Sequence, residues 1–151
     1  MIICSVLVIG GGPLGASAAA ILARQGHEVT LLEKTVFPRY HIGDSLLPSL
    51  YEFLKILSVA NNVKAASFVE KPGTYFEWGE ETWSRVFGEL SVIPQKSYQV
   101  DLSVFDKILL DNAKKHGDWV IEHASATALD CTAEGRPNTV HWTRSGVTHK
   151  T

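Results

Sequence analysis

Residues 2–33 read Ile2-Ile3-Cys4-Ser5-Val6-Leu7-Val8-Ile9, then Gly10-Gly11-Gly12-Pro13-Leu14-Gly15, then an alanine-rich run to Gln25 and Gly26, then His27-Glu28-Val29-Thr30-Leu31-Leu32-Glu33. An apolar β-branched run, a glycine turn, a helix-forming run and a second apolar run closed by an acid predict a β-α-β unit. The glycines fit G-x-G-x-x-G at Gly10, Gly12 and Gly15, and Glu33 lies 18 positions beyond Gly15. Gly10 allows a tight turn out of the strand, Gly12 lets a pyrophosphate approach the backbone, and Gly15 lets the helix pack on the sheet. The helix N-terminus offers N–H groups to phosphates. Pro13 falls in the first helical turn, where its missing N–H costs little. Glu33 stands where a carboxylate accepts from ribose hydroxyls. Strand, turn, helix and acid in this order point to dinucleotide binding; the bland alternative is a glycine-rich turn that only serves packing.

Composition narrows the class. At 151 residues the chain is one domain's worth of material, and a complete two-domain flavin or nicotinamide enzyme normally needs much more. A net charge of -2 with scattered Lys and Arg gives no footprint for nucleic acid and no membrane-surface patch. Cys4 and Cys131 are too few and too far apart for a metal site or a disulfide framework, and a reducing, cytoplasmic location is the simplest reading. Residues 1–23 carry no charge, but a Gly-Gly-Gly-Pro interruption and the lack of a basic leader argue against a membrane span or signal peptide.

Further along, Gly26 ends the first helix as a left-handed residue. Residues 45–57 suggest a helix with Ser45 as cap, Pro48 in the first turn and Asn61-Asn62 breaking the pattern. Residues 73–79 alternate as a strand, and residues 83–92 form either a further strand or an irregular excursion. Residues 98–100 are short and extended. Residues 103–115 form an amphipathic helix that Ser103 and Asp106 would open as a capping box and His116-Gly117 would close. Strands are expected at 119–121, extended by 126–129, then at 139–143 and around Val147, with Arg144-Ser145-Gly146 turning between the last two. The chain stops in what reads as the middle of a sheet.

The loop after Glu33, Phe37-Pro38-Arg39-Tyr40-His41-Ile42-Gly43-Asp44-Ser45-Leu46-Leu47-Pro48, closely resembles the signature of flavin-dependent halogenases, particularly those acting on phenolic and other aromatic natural products. Phe68-Val69-Glu70-Lys71-Pro72-Gly73-Thr74-Tyr75-Phe76-Glu77-Trp78-Gly79 resembles the segment that carries that family's catalytic lysine. Tyr98-Gln99-Val100 with Phe105-Asp106-Lys107-Ile108-Leu109-Leu110-Asp111-Asn112-Ala113 matches the next block, so the likeness spans roughly residues 4–124.

The resemblance implies an α/β, Rossmann-like FAD-binding domain of the glutathione-reductase type used by flavoprotein monooxygenases. It also implies a role in secondary metabolite biosynthesis. FADH2 from a separate flavin reductase, a transient partner, would react with oxygen to a flavin hydroperoxide. Halide, the co-substrate, would become hypohalous acid. Lys71 would then hold that acid beside an aromatic small-molecule or carrier-bound substrate. An ammonium on a long stem can hydrogen-bond the acid's oxygen and so orient the halogen; without its motif, Lys71 would be read as solvated.

The same resemblance places His41, Ile42, Gly43 and Ser45 on a strap along the flavin, and Arg39 near the cofactor. Each has a plainer reading. His41 is otherwise a loop residue, Ser45 a helix cap, and Arg39 a partner of Glu33 or a solvated cation. Tyr75, Phe76 and Trp78 either line a substrate pocket or pack a core.

Two departures stand out. Asp44 replaces the usual Glu, and Asp101-Leu102 occupies the place of a basic residue that approaches the cofactor in related flavoproteins. The second FAD segment, the W-x-W-x-I-P segment and most of the substrate domain find no counterpart, and Val92-Ile93-Pro94 lacks the tryptophans. Residues 1–151 therefore read as a partial, truncated FAD-binding domain. Residues 67–100 would be an excursion toward the substrate region, and the polypeptide alone is expected to be inactive or nearly so. The competing readings are an FAD-dependent aromatic monooxygenase and a catalytically dead FAD-binding remnant.

Overall fold

The computed structural model describes residues 2–89, 96–117 and 119–151. The chain divides into two compact units. Unit 1 takes Met1–Arg39 and Asp106–Thr151; unit 2 takes Tyr40–Phe105.

Unit 1 is built on a parallel sheet of β1 (Val6–Ile9), β2 (Val29–Glu33) and β8 (Trp119–Glu122), with β2 in the middle. Val6 pairs with Val29, and Thr30 with Trp119. Every residue of β2 is buried, which is why it reads as an unbroken apolar run rather than an alternation. Cys4 precedes β1 instead of lying in it and is half-buried.

Helix α1 (Pro13–Arg24) crosses between β1 and β2 and buries Ala16, Ala19 and Ala20 completely. This i, i+3, i+4 spacing puts one methyl-only stripe against the strands, so the backbones approach closely. Gly26 follows at φ +91°, the left-handed end expected of it.

An antiparallel meander completes the unit, formed by β9 (Ser125–Cys131), β10 (Pro137–Arg144) and β11 (Val147–Lys150). Residues 126–129 do not extend β8. They belong to this second sheet, because His123 at φ +61° redirects the chain after Glu122. Ser145 and Gly146, both with positive φ, make the turn between β10 and β11. Trp142, 3% exposed, anchors the meander: it packs with Leu32, Ala124 and Val140, donates to Thr151 Oγ1 at 2.9 Å and stacks on His149.

Unit 2 holds β3 (Asp44–Ser45), β4 (Val69–Lys71) and β7 (Ser97–Val100) in an antiparallel sheet with β7 central. It also holds the hairpin β5 (Gly73–Trp78) and β6 (Glu81–Val86), and the short helices α2 (Leu50–Ile56) and α3 (Ala60–Ala65). Ser45 is therefore in a strand, not at a helix start, and α2 begins five residues later than the apolar pattern suggests. Pro48 disfavours helical backbone at Leu47, and pairing of Ser45 with Gln99 claims the backbone for the sheet. Asn61-Asn62 does not end the helical region either. Both lie inside α3, whose Val63 is buried together with Val59 while the asparagines face solvent. Helix α4 (Leu102–Lys115) starts in unit 2 and continues into unit 1. Its cap is Asp101, whose Oδ1 accepts from Ser103 N at 2.8 Å. The capping box of Ser103 and Asp106 does not form, because Asp106 points inward and is fully buried. Val92-Ile93-Pro94 lies outside the described residues.

Candidate active site

The nucleotide end belongs to unit 1. Gly10 turns out of β1 at φ +102°, and its N–H donates to Leu32 O at 2.8 Å. A Cβ on Gly15 would collide with Gly10 O, so no other residue fits there. Gly12 is the N-cap of α1 and brings no side chain to cap it, leaving first-turn N–H groups for an anion; Pro13 follows inside the helix start.

Glu33, 2% exposed, ends β2 beside this turn. Its Oε2 accepts from Gly11 N at 2.7 Å. Its Oε1 accepts from Thr35 N at 2.8 Å, Thr35 Oγ1 at 2.6 Å and Arg39 Nη1 at 3.4 Å. Burial is the largest influence on this carboxyl and opposes its ionisation. The Thr35 hydroxyl, the two N–H donors and the Arg39 charge together outweigh burial and hold the group below the usual glutamate range. Oε1 is saturated, so Oε2 keeps the capacity for a ligand hydroxyl. A cavity of about 320 Å³ opens here, lined among others by Gly10, Gly12, Glu33, Arg39 and Ala124. Its size and its single ionised acceptor fit the ribose end of FAD.

Arg39 faces inward. Its guanidinium pairs with Glu33 and, at 3.6 Å, with Asp106, lies over the Phe37 ring at 4.7 Å and comes beside Gly12. The loop leaving β2 is fixed by Glu122, which accepts from Phe37 N at 2.8 Å and Lys114 Nζ at 2.9 Å. Gly11, Thr35, Asp106 and Glu122 were not marked by the motif. Gly11 acts through a backbone N–H that any residue type carries. The pairing of Glu122 with Glu33 across β2 and β8 becomes visible only once strand register is known.

The lysine end belongs to unit 2. Lys71 closes β4, and its Nζ donates to Ser45 Oγ at 2.5 Å, joining two motifs 26 residues apart. The Lys71 ammonium also lies 5.4 Å from the centroid of Phe87. Asp44 accepts from Ser45 N at 2.7 Å. A Cβ on Gly43 would come within 2.8 Å of Val100 O, so this backbone runs tight against β7. His41 and Ile42 are exposed in the coil before β3. Tyr75, Phe76 and Trp78 are exposed on β5 rather than packed in a core; Phe76 stacks on Trp83 at 5.2 Å. Among the described residues there is no cluster of three or more metal-ligating side chains, and no helix is long and apolar enough to cross a membrane.

A parallel sheet with a glycine turn, a carboxylate at the end of its second strand and a half-buried arginine beside both defines the nucleotide-binding half of an FAD-binding α/β flavoprotein. The sequence model of the tryptophan halogenase family matches residues 5–97, well over half the chain, and the chain belongs to that family. It is 43% identical over 142 residues to a tryptophan 2-halogenase of Chondromyces crocatus, covering 94% of this chain and 27% of the relative. It is 37% identical over 147 residues to the flavin-dependent halogenase armH2 of Armillaria mellea, covering 95% and 28%. Among solved structures, the myxobacterial chondrochloren halogenase CndH superposes with a TM-score of 0.88 at 35% identity, over 95% of this chain and 34% of that one. The flavin-dependent halogenase CmlS gives 0.87 at 34% identity, over 100% and 28%. The chain thus spans 27% to 34% of the length of these relatives.

Proposed function

We propose that these residues supply the FAD-nucleotide site and the halogen-directing lysine of an FAD-dependent halogenase acting on an aromatic or phenolic substrate, free or carrier-bound. The observation that carries this reading is the contact between Lys71 and Ser45: two separately recognised motifs meet at one ammonium group.

Bound FAD, delivered reduced by a transient flavin reductase, supplies the oxygen chemistry that converts halide to hypohalous acid. The protein's part is binding and orientation. Gly10, Gly12, Pro13 and Gly15 form the phosphate turn. Glu33, held by Gly11 and Thr35, takes a ribose hydroxyl. Arg39 adds its charge to the Thr35 and Gly11 donors that keep Glu33 ionised, and flanks Gly12. His41, Ile42, Gly43 and Ser45 form the strap, whose backbone runs against β7 at Gly43. Lys71 presents an ammonium that can donate to the oxygen of hypohalous acid and make it a better leaving group. Residues 67–100 serve the substrate side, where exposed Tyr75, Phe76 and Trp78 offer aromatic surface. Two free thiols suit a reducing cytoplasm.

The test joins residues 1–151 to the remainder of the Chondromyces crocatus tryptophan 2-halogenase and supplies a flavin reductase, NADH, bromide and an aromatic substrate. Brominated product that disappears in Lys71→Met, with FAD binding intact, is expected. Hydroxylated but never halogenated product would instead make the protein a monooxygenase. Failure of the 151-residue chain to take up FAD in a fluorescence titration would favour a remnant without cofactor.

A further inference from the structure

Lys71 is oriented from two sides, and neither side is explained by sheet formation. Ser45, Gln99 and Val69 are opposite one another across β3, β7 and β4, so they share a face, and Lys71, two residues beyond Val69, shares it too. Strands lie about 4.8 Å apart, so Ser45 and Lys71 are separated by two strand spacings across the sheet and a two-residue offset along it, a gap closed only with the four-carbon stem extended diagonally over β7. Lys71 reaches back across β7 to Ser45 Oγ. Ser97, directly opposite Lys71 on β7, is nearer across the sheet. Its hydroxyl is donated to Leu46 O, while Leu46 N donates to Tyr98 O at 2.9 Å, so this pair fixes the backbone beside Ser45. On the other side, Phe87 N donates to Pro72 O at 2.9 Å, which returns the β5–β6 hairpin to the end of β4 and lays the Phe87 ring against the ammonium. An aromatic face within about 6 Å of a cation attracts it.

Resting on the reading of Lys71 as the halogen-directing group, we propose that Ser45 and Phe87 clamp its ammonium, with Ser45 a positioning residue rather than a helix cap. The hydroxyl occupies one N–H and the ring covers another direction. The remaining N–H is aimed, so that a small electrophile bound there meets a fixed donor instead of a freely rotating one.

The clamp can be read in the 151-residue chain without FAD or halide. Trace labelling with acetic anhydride, followed by mass spectrometry, gives the relative acylation rates of Lys71, Lys64 and Lys96. Ser45→Ala should speed labelling of Lys71 by about threefold to tenfold, because an amine released from a hydrogen bond is more available. Lys64 and Lys96, both exposed, should not change and so serve as internal references, while an unchanged far-UV circular dichroism spectrum shows that the fold is retained. Ser45→Thr, which keeps the hydroxyl, should restore the slow rate. Phe87→Leu, acting from the opposite side, should give a smaller acceleration. Equal Lys71 rates in wild type and Ser45→Ala, or a Ser45→Thr variant as fast as Ser45→Ala, would overturn the clamp. Because no halogenation is measured, failure here and failure of the halogenase reading are separate results.

Discussion

Glu33 shows how one side chain is prepared for a ligand. Three donors hold Oε1 and the Gly11 N–H holds Oε2, so the carboxylate is ionised and aimed before the ribose hydroxyl proposed for it arrives. Replacing it by Gln keeps the size but removes the charge and puts an amide N–H where an acceptor is wanted. Glu33→Gln should weaken FAD binding about tenfold to a hundredfold in a fluorescence titration, the worth of one hydrogen bond to a charged group. The position of Glu33 was legible from its distance to the glycines. Its partners were not: Gly11 contributes a main-chain group, and Thr35 is an ordinary loop residue until the chain bends back. Arg39 was read with two partners open, and the structure gives it Glu33 and Asp106.

At the scale of elements, period and punctuation identified α1, β2, α4 and the β10–β11 hairpin, because each has a strong apolar pattern bounded by Gly or Pro. What was not legible is pairing. The two-residue strand β3 has no pattern of its own and exists because β7 offers it partners. The N-terminal boundary of α2 moved for the same reason, with Pro48 reinforcing it. The β5–β6 hairpin carries a further constraint at its base, where a Cβ on Gly73 would sit 2.5 Å from Arg85 O. Gly73→Ala should therefore destabilise the hairpin by about 1–3 kcal/mol through overpacking. Tryptophan fluorescence should report it first, since Trp78 and Trp83 stand on the two paired strands.

Across the whole molecule, acid should unfold unit 1 through the buried carboxyl of Glu33 and the half-buried one of Glu122. Glu33 and, likewise against the opposing effect of burial, Glu122 through Phe37 N–H and Lys114 are both held below the ordinary value of 4.5. A lowered folded-state pKa contributes stability that is complete above the unfolded value and is lost as pH falls through the folded one. The melting temperature should hold steady above about pH 5 and drop below it, and Glu33→Gln should flatten that drop. Calorimetry across the range checks this. The division into units was not legible from the sequence, which placed the excursion at 67–100; unit 2 runs over Tyr40–Phe105 and contains that stretch. The last residue before unit 2 and the first after it, Arg39 and Asp106, are themselves ion-paired in unit 1. Replacing residues 41–100 by a flexible linker of about eight residues should leave unit 1 folded, as judged by the buried Trp142 emission. The pair acts as a buckle on a loop: once its ends are fixed, doubling the enclosed chain costs only about 0.6 kcal/mol in closure entropy. Insertions and deletions between them are thus nearly invisible to the glycine turn and Glu33, which leaves much of the enclosed segment open to divergence while those residues of unit 1 stay put.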